Sequence, residues 1–163
     1  RKDEIELNAQ NMKDMMESAV SKVKEGETVA ILSTGDPGFS GILKPILELK
    51  ADIDIEVIPG ISSVQLCAAK LKIPWDDADL ITMHGKGISE EILDVIDNGK
   101  PTIIIPNFKP AELANFLIEE GIDHDRKVAI CERLSYDDEK VLQMALKDVL
   151  DEEFSYMCVV VVY

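Results

Sequence analysis

The sequence predicts an α/β fold, with strands and helices alternating along most of the chain. Three observations carry that expectation. Short β-branched runs such as "TVAILS", "TIIIP" and "CVVVV" recur between stretches with helical apolar spacing. Glycine-containing loops follow two of the early runs and lead into helical stretches. Apolar residues make up 46% of the 163 positions, enough for a sizeable core. Alternation of this kind implies mostly parallel strands joined by crossover helices.

The elements follow in order. Met12, Met15, Met16, Ala19, Val20 and Val23 recur at helical spacing, and Gly26 ends that helix. "TVAILS" (28–33) reads as a buried strand. "FSGILKPILELK" (39–50) reads as a helix, with Pro45 tolerated near its first turn. "IDIEVIP" (53–59) is the next strand and "ISSVQLCAAKLK" (61–72) the next helix. "IPWDDADLITMHG" holds a turn and a third strand. "SEEILDVIDNG" is a helix with Ser89 as its N-cap and Gly99 as its stop. "PTIIIPN" is a strand, and "KPAELANFLIEEG" is a helix with Pro110 in its first turn. "RKVAICERL" is a strand. "EKVLQMALKDVL" allows either type: its alternation fits a strand and its composition a helix. "YMCVVVVY" is a final buried strand. The proline and four acids of "KIPWDDAD" suggest a junction near Asp77, so the expected domains are 1–77 and 78–163.

The formal charge is −15, which argues against a nucleic-acid partner, because phosphate backbones are bound by clustered lysines and arginines. No apolar run approaches the ~20 residues of a membrane-spanning helix, and "RKDEIELNAQ" lacks the apolar stretch of a signal peptide. A cytoplasmic protein without membrane partners is expected. Cys67, Cys131 and Cys158 are widely spaced and flanked by apolar residues. They read as buried reduced thiols, and no bound metal is expected.

The loop "STGDPGFSG" (33–41) and the loop "VIPGISS" (57–63) each sit at the carboxyl end of an expected strand. In open α/β sheets that edge is where ligands bind. Exposed backbone N–H groups there favour a negative or polar ligand group. Pro37 and Pro59 stiffen the loops. Neither loop matches the Walker or dinucleotide glycine patterns.

Beyond the two loops, the chain carries Trp75-Asp76-Asp77 and His84-Gly85-Lys86. Together with Asp36-Pro37, Phe39, Gly41 and Pro59-Gly60-Ile61-Ser62-Ser63, these residues resemble the tetrapyrrole methylase family. Within it they are most similar to the cobalt-precorrin C5-methyltransferases of cobalamin synthesis. The similarity runs through most of residues 28–163. The family's opening strand and Gly-x-Gly-Pro-Gly loop have no counterpart in this sequence.

The resemblance implies two α/β domains with mostly parallel sheets, a ligand cleft between them and S-adenosylmethionine as methyl donor. It implies donor contacts from Gly35, Asp36, Pro37, Phe39, Ser62 and Ser63. More weakly, it implies contacts from Pro106, Cys131, Glu132, Arg133 and Leu134. His84 is the candidate proton acceptor. Lys86 and Lys109 are candidates for the carboxylates of a tetrapyrrole substrate, with Arg133 a further cation on that side. A homodimer is expected from the same resemblance. A protein methyltransferase of the diphthine type and a non-catalytic module binding donor or tetrapyrrole stay open as alternatives. "PWDDA" and "HGK" speak against the first of these.

Overall fold

A computed structural model describes residues 4–8, 10–83, 87, 88 and 90–163. The chain divides into two compact units, Arg1–Ser62 and Ser63–Tyr163.

The second unit is built on a five-stranded sheet in the order β1-β2-β5-β3-β4. Its strands are β1 (Asp79–Thr82), β2 (Thr102–Ile105), β3 (Lys127–Glu132), β4 (Lys140–Ala145) and β5 (Cys158–Val162). Its α-helices among the described residues are α3 (Ser63–Leu71), α4 (Glu91–Ile96) and α5 (Pro110–Glu119). Among the described residues, only β1 and β2 pair in parallel; β2 with β5, β5 with β3 and β3 with β4 are antiparallel. The expectation of mostly parallel strands is therefore corrected here to a mixed sheet. Two of the three antiparallel pairings come from β5; the third comes from the ambiguous stretch at 139–150. It returns from β3 as a hairpin strand, then tightens into a 3-10 turn over Leu146–Asp151. Val141 and Gln143 are exposed and Leu142 and Met144 less so, the period-2 pattern of a half-covered edge strand.

The central strands are covered on both faces. Val128, Ile130, Val160 and Val162 point into the cluster formed with Ile92 and Ile96 of α4 and Leu113 and Leu117 of α5. Alternation sends Ala129, Cys131, Val159 and Val161 to the opposite face. There Cys67 of α3 meets Cys131, Sγ to Sγ at 3.2 Å. Burial on both faces is why β5 reads as an unbroken run of valines. Arg126 closes the unit's lower end. Its guanidinium donates to the Ile96 carbonyl at 2.7 Å, satisfying an unpaired carbonyl at the end of α4, and also to the Tyr163 carbonyl.

The compact unit begins at Ser63, before the expected junction at Asp77. The reason is the burial of α3. Val64, Cys67 and Ala68 are buried, and Lys70 reaches Glu139 at 2.5 Å. These contacts tie α3 to the sheet.

The first unit contains α1 (Met12–Lys24) and α2 (Leu43–Glu48). The two strands expected at 28–33 and 53–59 do not form. Both stretches lack regular secondary structure, and among the described residues no backbone hydrogen bond joins residues 29–32 or 54–58 to another segment. A strand exists only by pairing with a neighbour about 4.8 Å away, and these segments do not pair with each other. Their apolar side chains stay open to solvent: Leu32 is 89% exposed and Ile58 76%. Val20, Val23, Ile31, Ile46 and Ile53 help line a hollow of ≈ 770 Å³. Amide exchange should read this contrast directly. Amides of 29–32 and 54–58 are expected to exchange near the unprotected rate, while those of β3 and β5 persist until global unfolding. Comparable protection in both sets would contradict the structure.

Candidate functional site

The first glycine loop is a compact turn organised by Asp36. Its Oδ1 accepts the Gly38 N–H at 2.8 Å, an Asx turn of the kind aspartate favours. The Phe39 N–H donates to the Asp36 carbonyl at 3.3 Å, and the Leu43 N–H to the Pro37 carbonyl at 3.0 Å, leading the chain into α2. Gly35 sits at φ +70, a conformation most side chains resist.

The second loop lies against the first. The Gly60 N–H donates to Asp36 Oδ2 at 3.3 Å. A Cβ on Gly60 would stand 2.3 Å from the Gly35 carbonyl oxygen, so only glycine allows this approach. Ser62 is 7% exposed at the end of this loop. Gly35, Asp36, Pro37 and Ser62, four of the residues expected to serve one ligand, are thus gathered in one place. Phe39 is half-buried beside them. Ser63 opens α3 in the second unit.

In the second unit, strand order brings another group together. β2 and β3 both run antiparallel to β5, so their carboxyl ends share one sheet edge with the start of β5. Pro106 is buried just past β2, and Cys131 and Glu132 close β3. Arg133 follows at φ +48, its N–H donating to the Met157 carbonyl at 2.8 Å. Leu134 is half-buried next to it. Glu132 is 7% exposed; Oε1 accepts the Ser155 N–H at 2.6 Å, and Oε2 has no hydrogen-bond partner among the described residues. Lys140 lies 4.0 Å from that oxygen.

Arg133 is less available than the sequence suggests. Its Nε lies 2.7 Å from Asp138 Oδ2, and its guanidinium stacks on Tyr136 at 4.5 Å. Lys109 is exposed at the N-terminal cap of α5, where its N–H donates to Glu112 Oε1 at 3.1 Å. His84 and Lys86, the candidate proton acceptor and substrate cation, lie outside the described residues, as does the expected N-cap Ser89.

Three residues at this edge escaped the sequence reading. The Tyr156 hydroxyl donates to the Asn107 carbonyl at 2.7 Å, and Ser155 holds Glu132. Their only signal is proximity to apolar runs, because nothing local reveals that β5 inserts between β2 and β3.

All three cysteines are free and buried. Cys67 donates to Cys131 and is held protonated by that bond and by burial. Cys158 is pushed up to about 12 by burial and the nearby Glu132. Among the described residues, no helix is long and apolar enough to cross a membrane.

One ion pair sets a pH dependence. The Lys70 ammonium, then the Ser135 N–H at 2.9 Å, hold the Glu139 carboxyl below the ordinary value of 4.5. A depressed pKa contributes stability that is complete above the unfolded value and is lost as pH falls through the folded one. The second unit should therefore lose stability in acid below about pH 5. E139Q should flatten that part of the profile in denaturant titrations at graded pH. An unchanged slope would remove the assignment.

The second unit has an α/β architecture with a mixed sheet. Residues 1–150 match the Tetrapyrrole (Corrin/Porphyrin) Methylases family. The chain belongs to that family. It is 46% identical over 139 residues to a probable cobalt-precorrin-7 C(5)-methyltransferase of Methanocaldococcus jannaschii, a match covering 84% of this chain and 65% of the relative. The chain thus spans a little under two thirds of that relative's length. The solved methyltransferase CobJ superposes with a TM-score of 0.75 at 21% identity, over 93% of this chain and 70% of that one. A diphthine synthase superposes equally well, TM-score 0.75, at 16% identity over 97% of this chain and 68% of that one. Structural likeness at such identities speaks for the fold alone.

Proposed function

We propose that this protein transfers a methyl group from S-adenosylmethionine to C5 of a cobalt-precorrin, cobalt-precorrin-7, in cobalamin synthesis. The observation that carries this reading is the 46% identity to the C5-methyltransferase relative. Fold likeness does not separate this reading from the diphthine alternative; sequence likeness at that level favours the corrinoid.

The donor has a zwitterionic end, a sulfonium, a ribose and an adenine. The interlocked loops at Gly35, Asp36, Pro37, Gly60 and Ser62 offer fixed polar backbone groups, with Phe39 and Ser63 next along the chain. Pro106, Cys131, Glu132, Arg133 and Leu134 form the other candidate donor surface. Oε2 of Glu132, without a hydrogen-bond partner among the described residues and 4.0 Å from Lys140, is a buried acceptor suited to a ligand N–H or O–H. Lys109, and Lys86 outside the described residues, are assigned to substrate carboxylates.

In the reaction a ring-carbon electron pair forms the new C–C bond. The methyl–sulfur bond breaks, and its electrons stay on sulfur as a neutral thioether. A proton then leaves the substrate, and His84 is the candidate acceptor. Aligning carbon, methyl and sulfur contributes about 7–11 kcal/mol towards the barrier. The protein is assigned to the cytoplasm and to a homodimer, without nucleic-acid or membrane partners.

The test is incubation with cobalt-precorrin-7 and methyl-labelled S-adenosylmethionine. Label at C5 supports the reading. Donor binding by calorimetry without transfer to any corrinoid would favour a binding module. Failure to bind the donor would reject both.

A further inference from the structure

Asp36 uses both carboxylate oxygens on backbone amides from two different loops. Oδ1 takes the Gly38 N–H at 2.8 Å, within its own turn. Oδ2 takes the Gly60 N–H at 3.3 Å, from a loop 24 residues further along. An ionised carboxylate only accepts, so it suits two converging donors. Among the described residues, no backbone hydrogen bond ties residues 54–58, which lead to Gly60, to another segment. The second loop therefore depends on local contacts for its register, and this bond lies beside the tight Gly35–Gly60 approach. We propose that Asp36 is a positioning residue that clamps the Pro59-Gly60 loop to the Asp36-Pro37 turn. It acts through the loops, and its carboxylate does not touch the donor. The inference rests on the reading that these loops take S-adenosylmethionine. Clamping them in the free protein lowers the ordering cost of binding.

Aspartate to asparagine separates the two bonds. Asparagine keeps an oxygen for the Asx turn at Gly38, but its single acceptor cannot also serve Gly60. In D36N, amide exchange at Gly60 should accelerate about tenfold or more while Gly38 and the amides of β3 are unchanged. Calorimetry should show about tenfold weaker binding of S-adenosylhomocysteine, and the same factor for 5′-methylthioadenosine, which lacks the amino-acid end. A clamp weakens both ligands equally. A direct contact between Asp36 and the amino-acid end would weaken only S-adenosylhomocysteine, and that outcome overturns the proposal. So does an unchanged Gly60 exchange rate. Should D36N not fold, D36S, with a short acceptor for Gly38 alone, carries the same measurements. If the wild-type chain binds neither ligand, the donor reading falls, while the exchange arm still decides the clamp.

Discussion

Ile130→Ala is expected to destabilise the second unit by about 3 kcal/mol, measured by denaturant unfolding. Ile130 is fully buried at the middle of β3. It pairs with Leu142 on one side and Val160 on the other, and its side chain joins the cluster with α4 and α5. Truncation removes buried methyl groups and leaves a void, because a strand hydrogen-bonded on both edges cannot collapse inward. Leu32→Ala is the control. Leu32 is apolar too, but it is 89% exposed, and its loss should cost under about 0.5 kcal/mol. Equal effects would mean that the segment around Leu32 is buried in solution.

On the proposed function, Gly60→Ala is expected to lower methyl transfer about 100-fold, the loss that a misplacement of about 1 Å can produce. The new Cβ would stand 2.3 Å from the Gly35 carbonyl oxygen and 3.1 Å from its carbon. Both are backbone atoms, so no side chain can swing aside, and the loops must part. The effect should be confined to the site: unfolding of the second unit should be unchanged. Gly87→Ala is the matched control, since a Cβ there meets nothing within 4 Å among the described residues. A Gly60→Ala enzyme with wild-type turnover would show that the close approach of the loops is dispensable.

Local pattern was enough for the helices and for most strands of the second unit. Pro110 begins α5 and the apolar spacing of Met12 to Val23 is α1, because each depends on neighbours three or four residues away. "TIIIP" and "CVVVV" are strands because β-branched runs of that length fit a sheet covered on both faces. "TVAILS" and "IDIEVIP" also carry β-branched residues and form no strand. Composition reports willingness to pair; it does not supply the partner. The stretch at 139–150 was ambiguous for a related reason, since both periodicities are written in it and the hairpin with β3 selects one.

The site divides along the same line. Asp36-Pro37 and Pro59-Gly60 were legible as loops because glycine and proline act on their own backbone. That Asp36 bonds Gly60, and that Gly35 leaves room for nothing larger, required the folded chain. Glu132 was marked by resemblance, but its burial, its bond from Ser155 and its ion pair with Lys140 were not.

By itself the sequence determined the α/β class, the positions of the helices and the two loops, all of which rest on short-range sterics and apolar period. The tertiary structure decided strand direction, the placement of β5 between β2 and β3, and the joining of the loops through one carboxylate. Those depend on contacts between residues far apart in the chain, which only pairing and packing can choose.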